Sequence, residues 1–294
     1  MRAAAIFGPN ASEKDLRAFQ RCAEIISLSA VSPGMDAALI FGGDGTVHRH
    51  LQALVSTQIP ALMVPSGSGN DFSKALGLSS RQQSFSAWKK FCSGAKNVRA
   101  IDLGCIAEMG AAHPSGAPSS SFTYFCCVAG VGLDAAANRI GNAMPRWLRA
   151  HGGYVLSALA ALVSYTPQAV SVSLHDGNSH PASAPGFSGP AMLVAFANAP
   201  SYGGGMRIAP RAQLADGKLD ICFVKKMSRL RLLRFFPKVF SGEHLQMPQV
   251  DYRQAERFRI ETASPTDVYG DGEYICRTPI AIRIQPSALR VIVP

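Results

Sequence analysis

The chain has 294 residues, yet no apolar run in it approaches the roughly 20 that a membrane-spanning helix requires. Its longest helix-like apolar stretch, Tyr154 to Val163, falls well short. No secretory leader is expected either: the apolar start, Met1 to Phe7, stops at Gly8-Pro9, too short for a hydrophobic region with a cleavage site. The seven cysteines include no Cys-x-x-Cys pair, and no Cys/His spacing suits zinc. Their odd number and the apolar run around Cys126 and Cys127 point to reduced, buried thiols in a cytoplasmic protein that at most rests on a membrane surface. Acidic residues are few, 19 against 29 Lys and Arg, and the net charge of +10 favours anionic partners. Those cations form no long block and carry no RNA-binding aromatic signature, so no nucleic-acid partner is expected. No internal repeat is present.

What the sequence does contain is a pair of glycine-rich loops. Gly42-Gly43-Asp44-Gly45-Thr46 follows the apolar run Ala37 to Phe41, and Gly67-Ser68-Gly69-Asn70-Asp71 follows Ala61 to Val64. Each leads into a helix-like stretch, Val47 to Val55 and Phe72 to Leu76. A strand, a glycine turn and a helix start make an anion site, because backbone N–H groups approach a phosphate closely and the helix N-terminus adds partial positive charge. Two such units in tandem suggest one polyanionic ligand, a nucleotide. The hydroxyls of Thr46 and of Ser66 or Ser68 can bond phosphate oxygens. Asp44 repels phosphate unless Mg²⁺ lies between them, or else supports the loop through Asx hydrogen bonds. Asn70 and Asp71 stand where a helix begins and can cap it.

Alternating strands and helices over the first hundred residues argue for an α/β layer. Ala3 to Phe7 reads as a buried strand and Asp15 to Ile26 as a helix capped by Ser12. From Asp102 to about Asn138 the pattern turns to strands, with a hairpin tip over Glu108 to Ser121. Leu148 to Ser164 is the clearest helix. Val170 to His175 and Ala191 to Asn198 read as strands around a second tip, Asp176 to Pro190. Leu219 to Val224, Arg257 to Thr262 and Pro279 to Val293 complete a strand-rich second half. Asp216-Gly217-Lys218-Leu219-Asp220 looks like a turn entering a strand, and Asp271-Gly272 is a strong hairpin signal. On a helix, Arg229 to Phe240 sets Arg231, Arg234 and Lys238 on one stripe, a candidate surface for an anionic bilayer. The alternative is a helix packed on the second domain with a solvated basic face, and Pro237 threatens the helical pattern.

At Gly42 to Thr46 the sequence resembles the diacylglycerol/sphingosine kinase superfamily of lipid kinases, and Gly67 to Phe72 is similar to that family's second nucleotide loop. Ile101-Asp102-Leu103-Gly104, then Gly203-Gly204-Gly205-Met206 running on to Asp220, then Asp271-Gly272-Glu273 continue the match in order. The combination looks like the bacterial soluble diacylglycerol-kinase-like group. The resemblance implies an α/β N-terminal domain with a parallel sheet over residues 1–101. A β-sandwich-like C-terminal domain for the lipid acceptor would follow over 102–284, with a tail from about 285 to 294 returning to the first. It implies transfer of the ATP γ-phosphate to a lipid hydroxyl, most readily diacylglycerol giving phosphatidic acid in phospholipid biosynthesis, with Mg²⁺. By that match Asp44 and Glu273 are catalytic, Glu273 as proton acceptor, and the nucleotide is held by Gly42, Gly43, Gly45, Thr46, Ser66, Gly67, Ser68, Gly69, Asn70 and Asp71. Asp216, with the backbone carbonyls of Gln213 and Lys218, would hold a structural Mg²⁺. The nucleotide would lie at the N-terminal loops and the acceptor toward the second domain. The partners implied are the lipid acceptor and an anionic membrane surface, met peripherally at the inner face, with a homodimer as one option.

Three departures stand out. Gly8-Pro9-Asn10-Ala11-Ser12 replaces the family's Asn-Pro-x-Ser-Gly. Ala11 to Leu39 is short, so the sheet is expected to lack a strand, with Ile25 to Leu28 at most a remnant. His48 and Arg49 replace Asn-Glu, which changes the sign of charge beside the phosphates. Two rivals follow: an NAD kinase, which shares the first glycine loop, and a non-catalytic lipid-binding protein on a kinase scaffold.

Overall fold

Ala3 to Ile6 are all buried in β1 (Arg2–Phe7), and so is every residue of β3 (Ala37–Gly42). Unbroken burial marks strands covered on both faces, as in a parallel α/β sheet. The computed structural model describes residues 1–109, 122–144, 157, 160, 161, 165–175 and 184–294. The chain falls into two units, Met1–Leu103 with Pro286–Pro294, and Gly104–Gln285.

In the first unit β1 lies between β2 (Glu24–Ser27) and β3, and β3 pairs with β4 (Ala61–Pro65), all parallel. The chain steps one way from β1 to β2 and then crosses back to β3, so the topology switches between β1 and β3. Outside the carboxyl ends of such strands lies the ligand crevice of open α/β sheets. Both glycine loops leave from those ends: α1 (Asp44–Thr57) follows β3, and α2 (Asp71–Ala75) follows β4. α3 (Arg81–Cys92) opens with a Ser80/Gln83 capping box and buries Trp88, whose Nε1 donates to the Phe19 carbonyl at 3.1 Å. The C-terminal segment closes the unit: Val291 pairs in parallel with Ala61, and the buried Asp102 carboxylate accepts the Ser287 N–H at 2.7 Å.

The second unit is antiparallel. It takes in the end of β5 (Val98–Glu108), then β6 (Thr123–Phe125), β7 (Val128–Gly132), α4 (Leu133–Ala143) and β8 (Gln168–His175). β9 (Ala184–Ala197) pairs with β8 along its first part and with both β7 and β10 (Leu219–Lys225) along its second. α5 (Arg229–Ser241), β11 (Val250–Ala255), β12 (Arg257–Thr262), β13 (Asp267–Gly270), β14 (Glu273–Arg277) and β15 (Ile280–Ile292) follow. Inward residues of these strands share one core, in which Phe187 stacks on Phe223 and Phe196 meets Phe258 edge to face. Aromatic pairs of this kind suit the sandwich-like packing expected for this half.

Several expectations need correction. Asp15 to Ile26 is not a helix but two short 3-10 turns, Glu13–Leu16 and Phe19–Arg21, followed by β2. The apolar spacing of Leu16 and Phe19 imitates a helical stripe, while Ile25-Ile26 favours a strand. The sheet therefore keeps the strand it was expected to lack. Strand structure does not run on to Asn138, because α4 begins at Leu133. β9 starts at Ala184, well before Ala191. Of the expected helix 148–164 only Ser157, Ala160 and Ala161 are described, and they are helical. Most of the two tips, 110–121 and 176–183, also lies outside the described residues. Pro237 sits inside α5 without ending it, since Ser228 caps the start, Gly242 closes the end and Leu232, Phe235 and Val239 anchor one face.

The returning segment places the fully buried Leu289 in the first unit. Leu289→Ala is expected to lower unfolding stability by about 2–5 kcal/mol in chemical denaturation. A loss near zero would mean that this segment is not part of that unit's core.

Candidate active site

In the first unit, β3 and β4 align Gly42 with Pro65, so the two glycine loops start side by side, and the Ser66 N–H donates to the Gly42 carbonyl at 3.0 Å. The loops then touch backbone to backbone. A Cβ placed on Gly67 would lie 2.6 Å from the Gly43 Cα, so no side chain fits there. Asn70 holds the second loop shut on itself. Its Oδ1 accepts from Gly67 N at 2.9 Å and its Nδ2 donates to Gly67 O at 2.6 Å, with Asn70 in the left-handed region at φ +54°.

Asp44 joins the loops. Its two carboxylate oxygens accept the N–H groups of Asp71 at 3.1 Å and Phe72 at 3.0 Å, the first two donors of α2. The first two N–H groups of α2 are thus already supplied with an anionic acceptor from the first loop. Thr46 differs from expectation. It is buried, and a Cβ on Gly8 or Gly42 would collide with its side chain at 2.4 and 2.5 Å, so Thr46 packs inward beneath the loop. Here the altered Gly8 turn finds its reason: Gly8 leaves room for Thr46, and its N–H donates to the Phe41 carbonyl at 2.7 Å. Ser68 is exposed, while Gly43, Gly45, Gly69 and Asn70 are half-buried. Arg49 turns back along its own helix, its Nε donating to the Gly45 carbonyl at 3.0 Å. Burial, and then the Arg49 charge, lower the pKa of His50. One cation escaped the sequence reading. Arg81 donates to the Ser66 hydroxyl at 3.1 Å and pairs with Asp15, which brings a guanidinium to the edge of the second loop. Its position directly after the Ser80 cap was the only available signal.

In the second unit, Asp271-Gly272 forms the two-residue turn between β13 and β14, with Gly270 opposite Glu273. Both turn residues have positive φ, +52° and +87°, as a type I′ hairpin needs. Asp271 is a clamp. Its carboxylate accepts the N–H groups of Cys126 at 2.7 Å, Cys127 at 2.8 Å and Val128 at 3.3 Å, and its own N–H donates to the Val128 carbonyl. Asn142 of α4 ties the Gly272 carbonyl from the other side at 3.0 Å. Among the described residues Cys126, Cys127 and Asp271 are the one group whose potential metal-ligand atoms gather, within 4.8 Å. Those carboxylate oxygens already accept backbone N–H groups, and both thiols are buried, so the group serves as structure. Glu273, two residues beyond the clamp, is half-buried and has no hydrogen-bond or ion-pair partner among the described residues.

Asp216 lies on an exposed turn, its Oδ1 accepting the Lys218 N–H at 3.1 Å and its Oδ2 facing Gln254 Nε2 at 3.4 Å. Beside it Asp220 is fully buried and bonded by Tyr252 and Gln254. Burial raises the Asp220 pKa above the usual carboxylate range, against the pull of those two bonds. One exposed carboxylate with neighbouring carbonyls fits a largely hydrated Mg²⁺, which keeps several waters and takes few protein ligands.

A further feature was not legible in the sequence. Asp134 of α4 is buried, its Oδ1 accepting from Tyr202 Oη at 2.8 Å and its Oδ2 from Asn138 Nδ2 at 3.3 Å. A Cβ on Gly130 would lie 2.2 Å from Asp134 Oδ2, so that glycine makes space for the carboxylate. Asp134 and Tyr202 are the polar members of an otherwise apolar cavity of about 40 Å³ lined by α4, β9, α5 and the Tyr202–Ile208 segment. That is room for roughly three water-sized groups, too little for a whole lipid chain as it stands.

Two family models match in chain order. The diacylglycerol kinase catalytic domain covers residues 10–106, and the YegS C-terminal NAD kinase beta sandwich-like domain covers 127–293. The chain belongs to the diacylglycerol/sphingosine kinase superfamily, and it is a lipid kinase. A diacylglycerol kinase of Mycobacterium tuberculosis strain H37Rv is 33% identical over 272 residues, 90% of this chain and 79% of that one. A diacylglycerol kinase of Bacillus subtilis strain 168 is 27% identical over 244 residues, 81% of this chain and 71% of that one. In fold the chain is similar to the crystal structure of a diacylglycerol kinase from Bacillus anthracis strain Sterne. That match has a TM-score of 0.68 at 19% identity and covers 100% of this chain and 97% of the other.

Two substitutions test the loop geometry of this lipid kinase. Gly67→Ala forces a Cβ against Gly43, an overpacking that costs roughly 1–3 kcal/mol. Separation of the loops should then weaken binding of an ATP analogue about tenfold or more by calorimetry. Unchanged affinity would mean that the contact does not shape the nucleotide site. Asp44→Ala leaves two N–H groups of α2 without their acceptor and should lower unfolding stability by about 1–3 kcal/mol as well as remove activity. Activity loss at full stability would assign Asp44 to the phosphates alone.

Proposed function

We propose that this lipid kinase transfers the γ-phosphate of ATP to the free hydroxyl of diacylglycerol. The observation that carries the reading is the backbone contact between Gly43 and Gly67. It brings the two glycine loops together at the carboxyl ends of β3 and β4, where their backbones make a surface suited to a polyphosphate. Phosphoryl transfer is mostly positioning and charge neutralisation. In this reading the α1 N-terminus and the Ser68–Gly69 backbone hold phosphate oxygens. Asp44 and Asn70 keep the two loops in register, and Arg81 adds positive charge at the edge. Mg²⁺, when bound, would neutralise phosphate charge, with Asp44 as the carboxylate nearest the cradle and Asp216 as the ligand of a separate structural ion. The choice of diacylglycerol is supported by the names of the relatives and by the apolar character of the cavity beside Asp134.

Glu273 is the general base. A lipid hydroxyl attacks phosphorus well only as its proton leaves, and a carboxylate with no competing partner on a rigid turn can take that proton. Asp271 cannot replace it while its oxygens bind three N–H groups. Glu273→Gln is therefore expected to lower kcat on dispersed diacylglycerol by roughly 10²–10⁴-fold. Kd for an ATP analogue and the thermal midpoint should hold. Asp271→Ala should lower the thermal midpoint as well. Full turnover in Glu273→Gln, or nucleotide affinity falling together with kcat, would remove Glu273 from this role.

A further inference from the structure

Five large apolar residues are exposed among the described residues, and three of them, Leu230 at 74%, Leu233 at 53% and Phe240 at 39%, lie on α5. Scattered apolar residues on a surface need no explanation, whereas a cluster on one helix does. At 3.6 residues per turn, Phe240, Leu233, Pro237 and Leu230 fall within an arc of roughly 80° on the outward side. Arg234, Lys238 and Arg231 follow on one flank of that arc, and Arg229 stands on the other. All four cations are exposed, the helix contains no acidic residue, and none of the four is ion-paired among the described residues. The opposite side of α5 is anchored in the second unit by Leu232, Phe235 and Val239, so the helix is fixed with its apolar arc outward.

We infer that the outward face of α5 docks on an anionic lipid bilayer, with Leu230, Leu233 and Phe240 seated among the acyl chains and Arg229, Arg231, Arg234 and Lys238 on lipid phosphates. An apolar stripe bordered by cations is the pattern of a helix lying in the membrane interface. The charge complementarity selects this occupant over a second copy of the chain, which would bring the same four cations face to face. The opposite side of the helix supplies Leu232, Phe235, Phe236 and Val239 to the apolar cavity, so the docked face and the cavity are two sides of one element. This assignment rests on the established lipid kinase activity and not on which lipid is phosphorylated.

The test is co-sedimentation of the full chain with phosphatidylcholine vesicles and with vesicles that also contain phosphatidylglycerol. The parent protein should bind the anionic vesicles, and added salt should weaken that binding. The charge variant Arg231→Gln/Arg234→Gln/Lys238→Gln should lose affinity by about fivefold for each cation removed. The apolar variant Leu230→Ser/Leu233→Ser should lose at least about tenfold. Both variants should keep the parent's circular dichroism, and their activity on a short-chain diacylglycerol below its critical micelle concentration should stay at the parent level. Wild-type binding by either variant, equal binding to neutral vesicles, or a self-association of the parent that these substitutions abolish would each overturn the inference. Correct vesicle binding with turnover of another lipid but not of diacylglycerol would leave docking standing and remove the substrate reading instead.

Discussion

One carboxylate organises the first unit. Asp44 leaves β3 at the first glycine loop and accepts the two leading N–H groups of α2, which belongs to the second loop. Charge-assisted bonds of this kind are worth more than neutral ones, and at a helix start they gain from the dipole as well. Everything around the cradle follows from keeping these loops in contact. Gly43 and Gly67 must lack side chains for the backbones to meet, Asn70 must close the second loop on Gly67, and Gly8 must leave room for Thr46 beneath the first. An acid beside a phosphate site looks paradoxical in the sequence; in the fold it is the bond that assembles the site.

The second unit uses the same device. Asp271 gathers the N–H groups of Cys126, Cys127 and Val128, which fixes the hairpin turn on β7 and leaves the adjacent Glu273 unpartnered. The two acids of Asp271-Gly272-Glu273 thus differ in kind: the oxygens of Asp271 are committed to backbone N–H groups, while those of Glu273 are not. Asp134, bonded by Tyr202 and Asn138, is a third acid held by neighbours, this time on the wall of an apolar cavity.

Much of this was legible in the residues. The glycine loops announced themselves because their spacing after apolar strands has few other uses, and Asp271-Gly272 announced a hairpin because both of its residues tolerate positive φ. The segment before Glu24 misled, since Leu16 and Phe19 carry a helical spacing while the chain makes only 3-10 turns before β2. Local periodicity does not report how much chain remains for a crossover. The partners of Asp44 and Asp271 were hidden for a different reason: each acts on backbone N–H groups, which have no sequence signature. Asp134 and Gly130 were hidden because a buried acid and the glycine that admits it look ordinary until the fold brings Tyr202 beside them. The outward arc of α5 was half visible. Its cations were evident, but the exposure of Leu230, Leu233 and Phe240 required knowing which face the core takes.

The most direct test of the account is phosphorylation of a panel of micelle-dispersed lipids, with NAD included, using ATP and Mg²⁺ and resolving the products by mass. The account predicts that diacylglycerol gains one phosphoryl group, that the gain requires the divalent cation, and that NAD is unchanged. Phosphorylated NAD, or ATP binding with no phosphorylated lipid in the panel, would contradict it.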